Sequence, residues 1–248
     1  MTAIDNGVVM VTGAARGIGR AVAVAAGRQG YAVGVNYLRS ETMANAVVAE
    51  IVEAGGRAVA LQGDVGDAGE VNRIFDQMGE ALGPATALVA NAGETPARAD
   101  FDSAPIETLE RTVQVNLMGT IYCMRRAVAD IRQSGSTGAI VVLSSEAARF
   151  GGNRISTYAA SKAALNTLVI GTARELGQYG IRVNAVSPGA VMTDALSAEG
   201  QHRLVEMAKS VPLGRIGHPD EVAETVLWLL SDLASYVSGT VLTVSGAR

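Results

Sequence analysis

Tyr158 and Lys162 stand four residues apart, in the run Tyr-Ala-Ala-Ser-Lys, inside a stretch whose apolar spacing is helical. At that separation two side chains share one helix face and reach the same small volume. The chain has two lysines, Lys162 and Lys209, against six tyrosines, so the spacing is uncommon by chance. A phenol ionises near pH 10 and is a poor proton carrier at neutrality. An ammonium beside it favours the phenolate and brings the group towards the working range. Such a pair can give a proton to an oxygen that is gaining electrons, or take it back in the reverse direction.

A second group lies at residues 12–19, Thr-Gly-Ala-Ala-Arg-Gly-Ile-Gly. Gly13, Gly17 and Gly19 let the backbone turn sharply and bring amides against a pyrophosphate, with the positive end of the following helix behind them. The spacing is Gly-x-x-x-Gly-x-Gly and so departs from the strict dinucleotide fingerprint. Taken alone, in a chain with 29 glycines, it reads equally well as an ordinary strand-to-helix connection.

These residues need a frame. Short apolar runs at 8–12, 32–36, 58–61, 85–90, 139–143, 183–186 and 240–244 read as strands buried on both faces. Helical spacing fills the intervals, and Gly30, Gly55 and Gly180 stand where helix C-termini want a left-handed residue. His218-Pro219-Asp220-Glu221 opens a last helix. Regular alternation of strand and helix predicts an α/β fold, a doubly wound parallel sheet of about seven strands with helices on both faces. No linker or repeat interrupts the 248 residues, so one domain is expected over 1–248.

Composition excludes several classes. Apolar residues make up 48% and charged residues 18%, which rules out disorder. A net charge of −4 without a basic cluster argues against nucleic acid or an anionic membrane as partner. No apolar run approaches a membrane span, and the N-terminus, with Asp5 so early, lacks the order of a signal peptide, so a cytoplasmic protein is expected. A lone Cys123 offers neither disulfide nor thiolate cluster, and it is expected as a small buried residue. His202 and His218 have no metal-ligand spacing, so no metal is expected and both are read as structural or surface residues.

The glycine turn, followed in order by Asp64-Val65, Asn91-Ala92-Gly93, Asn116, Ser145, Tyr158, Lys162, and Pro188-Gly189 with Thr193, resembles the short-chain dehydrogenase/reductase family over nearly the whole chain. The resemblance implies a Rossmann-type fold and an oxidoreductase that moves hydride between a nicotinamide cofactor and a carbonyl or alcohol. It implies catalytic roles for four residues. Tyr158 is the acid and base, Ser145 the hydroxyl that holds the substrate oxygen, and Asn116 the holder of a water that relays protons to Lys162. Lys162 also bonds the nicotinamide ribose. Ser144 precedes Ser145, and the family's thirteen-residue spacing to the tyrosine selects Ser145. By the same resemblance the turn from Gly13 through Arg16, Gly17, Ile18 and Gly19 holds the pyrophosphate, and Asp64 and Val65 flank the adenine. Asn91, Ala92 and Gly93 pass along the cofactor, while Pro188, Gly189, Val191 and Thr193 meet its nicotinamide side. Ala90 replaces the first asparagine of the family's usual Asn-Asn-Ala-Gly.

An NAD-binding sheet of this kind usually carries Asp or Glu at the end of its second strand for the adenosine ribose. Here the strand ends Val35-Asn36-Tyr37. Asn36 would not repel a 2′-phosphate, and Arg16 and Arg39 could supply it with positive charge, so NADP(H) is expected over NAD(H).

The substrate is expected to be a small molecule under a variable lid at about 192–217. Glu94 and Glu146, each directly after a site motif, and Arg154, four before Tyr158, favour a polar substrate over a steroid-like one. Alternatives are a 3-oxoacyl carrier-protein reductase and a non-catalytic NADP-binding redox sensor. The first often has a basic residue where Tyr179 stands, for docking an acidic carrier protein. The second would not need a proton donor beside the nicotinamide. An epimerase or dehydratase of the family would usually carry a longer C-terminal substrate domain. A mean hydropathy of +0.24 points to more buried surface than one monomer provides, and the family's usual homotetramer would cover it. Its contacts are expected along 116–131, 156–179 and 218–248.

Overall fold

Strands form where Val, Ile, Leu and Ala run together, and helices where apolar residues recur every three or four positions. The computed structural model describes residues 6–193, 196 and 201–248; Asp5, six of the expected lid positions and the side chain of His202 lie outside the described residues. In chain order the first half comprises β1 (Val8–Val11), α1 (Gly17–Arg28), β2 (Ala32–Tyr37), α2 (Glu41–Glu53), β3 (Arg57–Gln62), α3 (Ala68–Leu82) and β4 (Ala87–Ala90). Then come α4 (Ile106–Val113), a π-helical turn (Gln114–Gly119), α5 (Thr120–Ser134), β5 (Gly138–Leu143), a single turn α6 (Ala147–Phe150) and α7 (Ser156–Leu176). The chain closes through β6 (Ile181–Pro188), α8 (Gln201–Lys209), α9 (Pro219–Leu230) and β7 (Val241–Val244).

All the strands pair in parallel, in the order β3-β2-β1-β4-β5-β6-β7. The order reverses between β1 and β4, and the carboxyl ends of those strands frame the crevice where such sheets take ligands. Alternate residues of β1 face opposite ways. Val9 and Val11 join α1, α2 and α9 in one apolar layer, while Val8 and Met10 join α3, α5 and α7 in the other. Phe75 and Met78 of α3 are fully buried in the second layer, each contributing about 1.5–3 kcal/mol of apolar burial.

Two of the seven strands are not buried on both faces as expected. β3 and β7 are the edges of the sheet, and much of each is half-exposed because a helix layer covers only part of an edge. The glycine stops fall as expected, Gly30 (φ +92°) after α1 and Gly180 (φ +69°) after α7, both in the left-handed region.

Candidate active site

The glycine turn leaves β1 at its carboxyl end and enters α1 at Gly17. A Cβ on Gly13 would lie 2.9 Å from the Cα of Ala92, and one on Gly19 would strike the Gly13 carbonyl and the Asn91 amide. Both positions therefore need glycine for close packing. The Thr12 hydroxyl accepts from the amides of Asn91 and Ala92, each at 3.0 Å, and the Asn91 side chain donates back to the carbonyls of Thr12 (2.9 Å) and Gly13 (3.1 Å). These bonds fasten the β1 turn to the β4 turn across the crevice. No acidic residue occupies the first turn of α1, so its amide end is open to an anion. This cradle fits a dinucleotide pyrophosphate.

Asn36, at the second position from the end of β2, is buried and does a structural task. Its carboxamide oxygen accepts from the Gly13 amide (3.2 Å), and its nitrogen donates to the carbonyls of Leu61 (3.2 Å) and Gly63 (3.1 Å). Arg16 and Arg39 are both exposed, one at the entry to α1 and one past β2. Arg39 also acts on Asp64. Burial pushes that carboxyl up, but the hydrogen bonds of Arg111 and of the Gly66 amide, with the charges of Arg111 and Arg39, hold it below the usual carboxylate range. Arg111 of α4 is bidentate to Asp64 at 2.8 and 3.0 Å and reaches Glu94 at 3.4 Å. Sequence reading missed Arg111, because its partners lie 47 and 17 residues away and only the folded chain brings them together.

Asn116 sits in the π-helical turn, fully buried. Its side-chain oxygen accepts from the Glu94 amide (2.7 Å), and its nitrogen donates to the Glu94 carbonyl (3.0 Å) and to Ser161 Oγ (3.2 Å). It thus clamps the loop leaving Gly93 against α7. Such turns are frequent at functional sites.

β5 ends in two serines with different surroundings. Ser144 is buried, its hydroxyl held by Asn166 Oδ1 (2.6 Å) and the Lys162 carbonyl (3.2 Å). Ser145 is half-buried, and its Oγ accepts from the Ala147 amide at 3.1 Å, which leaves its hydrogen free to donate. Tyr158, two residues into α7, is also half-buried. Lys162 lies one turn further on, 4% exposed, with Nζ donating to the Leu143 carbonyl (2.7 Å) and standing 5.9 Å from the centre of the Tyr158 ring. Burial pushes the Lys162 amine down to about 8. A Cβ on Gly93 would come within 3.2 Å of Asn116 Oδ1 and 3.4 Å of Lys162 Nζ, so the β4 turn passes directly over the amine. Asn91, Asn116 and Lys162 are joined through one short stretch, residues 91–94.

On the far side, the Gly189 amide bonds the Val244 carbonyl (3.0 Å), and a Cβ there would meet Ser245. Val191 bridges to Gly217, and the Met192 amide donates to the Gly217 carbonyl (2.8 Å), tying together the two chain segments that bound the stretch expected as a lid. Thr193 lies beside Gly17, so the first of these segments reaches back to the phosphate cradle.

The three polar residues expected to face a substrate are otherwise engaged. Glu146 is 7% exposed and turned into the sheet end, where Oε1 accepts from Ser187 (3.2 Å) and Thr243 (3.3 Å). Glu94 pairs with Arg111, and Arg154 with Asp100. Cys123 is buried in the α5 layer, its thiol pushed up to about 12 by burial. His218 precedes α9, its amide donating to Glu221 (2.7 Å). Among the described residues, no three metal-ligating side chains cluster, and no helix is long and apolar enough to cross a membrane.

The chain is similar to known proteins along nearly its whole length. Residues 13–246 match the family described as enoyl-(acyl carrier protein) reductase. The chain is 39% identical to the uncharacterized oxidoreductase YgfF of Escherichia coli (97% of this chain, 99% of that one). It is 38% identical to an L-rhamnose 1-dehydrogenase (NAD(P)(+)) of Sphingomonas (99% and 97%). With a solved 7 alpha-hydroxysteroid dehydrogenase, complexed with NADH and 7-oxo glycochenodeoxycholic acid, it shares 33% identity and superposes with a TM-score of 0.92 over 98% of this chain and 94% of that one. The chain belongs to the short-chain dehydrogenase/reductase family. It is an oxidoreductase that interconverts carbonyl and alcohol groups.

Proposed function

We propose that the chain is an NADP(H)-dependent oxidoreductase for a small polar carbonyl–alcohol pair, with Tyr158 as acid and base. The observation that carries the reading is the buried Lys162 amine, held by Leu143 one helical turn from Tyr158 at the carboxyl edge of the sheet. A bound nicotinamide supplies the hydride in reduction and accepts it in oxidation. Ser145, polarised by the Ala147 amide on its oxygen, donates its hydrogen to the substrate oxygen as charge develops there. Tyr158 delivers the proton from its hydroxyl, and the Lys162 ammonium stabilises the phenolate left behind. The proton is restored through Lys162 and a water held at Asn116.

Arg16 and Arg39 favour the phosphorylated dinucleotide, since each is exposed and β2 ends in Asn36 and Tyr37, with no carboxylate at the strand end. The expected outcome is a higher kcat/KM with NADPH than with NADH; parity or reversal removes the preference. The relative named for L-rhamnose 1-dehydrogenation supports a polyhydroxy substrate. A second reading, a 3-oxoacyl carrier-protein reductase, draws support from Staphylococcus aureus relatives at 36% identity. The Arg132 guanidinium lies 4.0 Å from the centre of the Tyr179 ring, so positive charge stands at that corner although residue 179 is not basic. Purified protein assayed against aldoses, aldehydes, diketones and 3-oxoacyl thioesters, with NADPH absorbance as readout, separates the two. Tyr158→Phe should abolish turnover, by about 100-fold or more, while NADPH still binds; an active variant removes Tyr158 from proton transfer.

A further inference from the structure

The loop after β4 (residues 91–105) and the loop after β5 (residues 144–155) are joined at their roots, where β4 and β5 pair in register up to Ala90 and Val142. They are joined again far from those roots. Arg98 Nη1 donates to the Asn153 carbonyl at 2.7 Å, and the Ala99 amide donates to the Arg154 carbonyl at 3.2 Å. The Arg154 guanidinium pairs with Asp100, Nη2 donating to Oδ2 at 3.2 Å and Nε standing 3.1 Å from Oδ1 as an ion pair. Arg154 has φ +62°, a left-handed conformation that a long side chain adopts only when its surroundings enforce it. Two neighbouring loops are thus closed into a ring of chain by a clasp that Arg154 supports with both its backbone and its side chain.

Ser145 lies at the root of the second loop, and Tyr158 follows directly after its end. A substrate oxygen shared by Ser145 and Tyr158 would therefore lie between the two ends of this loop, and Arg154 stands only four residues before Tyr158. We propose that the Arg154–Asp100 pair, with the two bonds beside it, sets the size of substrate that the cleft admits. The inference rests on the reading of the cleft as a carbonyl–alcohol site with Ser145 and Tyr158 at its centre. The ion pair is largely exposed, 49% and 68% at its two side chains, so it is a weak link that binding or salt can open. Asp100 suits a test, because its backbone carbonyl carries the turn to Ser103 and Ala104 whatever its side chain is.

The experiment compares kcat/KM for a compact diketone, diacetyl, with that for a bulky one, benzil. Asp100→Ala should raise the bulky-to-compact ratio by about three- to fivefold, the reach of one exposed ion pair, with the value for diacetyl unchanged. The charge-reversed pair, Asp100→Arg with Arg154→Asp, should return the ratio towards wild type, since Asp tolerates the left-handed backbone. Raising salt to about 1 M, where screening acts within about 3 Å, should raise the ratio in wild type and leave Asp100→Ala unmoved. Amide exchange at Ala99 reports whether the clasp has opened. Faster exchange at Ala99 with an unchanged ratio overturns the size filter alone. No turnover of either diketone or of any panel substrate by wild type overturns the oxidoreductase site, and the filter with it.

Discussion

Lys162 concentrates the conflict between stability and chemistry in one amine. Burial pushes its ionisation down to about 8, so the folded protein holds this proton less tightly than the unfolded chain does. At neutral pH the amine is charged in both states and its burial opposes folding; as pH rises from about 8 to the unfolded value near 10.4, the opposition disappears. Lys162→Met should therefore melt higher relative to wild type at pH 7 than at pH 10, about 2–4 °C for each kcal/mol relieved in a chain of this size. Calorimetry at the two pH values checks it, and a constant difference would contradict it. In the same variant turnover should vanish, and in wild type kcat/KM for reduction should fall as pH passes about 8 and the ammonium is lost. The Tyr158–Lys162 pair was legible in the sequence because its partners lie on one helix. The ties of Asn36 and Glu146 were not, because a residue's type does not reveal which way a strand end or turn will face it.

At the level of elements, the cradle is only as good as the approach of α1 to β1 and β4. Gly19→Ala would place a methyl 2.5 Å from Asn91 Nδ2 and against the Gly13 carbonyl, neither of which can retreat without breaking the bonds between the two turns. Overpacking of this kind costs about 1–3 kcal/mol. The variant should melt lower and lose most of the stabilisation that NADPH gives wild type, as a thermal shift with and without the dinucleotide would read; undiminished stabilisation would count against the cradle. The strands and the glycine helix stops were legible from local pattern alone. The half-exposed edges β3 and β7 were misread because an apolar run looks the same in the middle of a sheet and at its border. The π-helical turn at Gln114–Gly119 was invisible because one extra residue per turn barely disturbs a 3.6-residue rhythm.

For the whole molecule, large apolar side chains remain outside the core. Leu233 (84% exposed) and Tyr236 lie in the last segment, and Ile170 and Tyr179 lie on or just beyond α7, within the stretches expected to meet other subunits. We propose a homotetramer that covers them. Light scattering at micromolar concentration should give about four times the chain mass, and a monomeric mass would refute it. Every residue assigned to cofactor or chemistry sits at the carboxyl rim of an all-parallel sheet or on a helix leading from it. The turns at the opposite rim, such as 54–56 after α2 and 135–137 after α5, connect helix ends to strand starts and hold none of these groups. Evolution and engineering are accordingly free there: affinity tags, fluorophores or inserted peptides placed in those bends leave the catalytic machinery untouched.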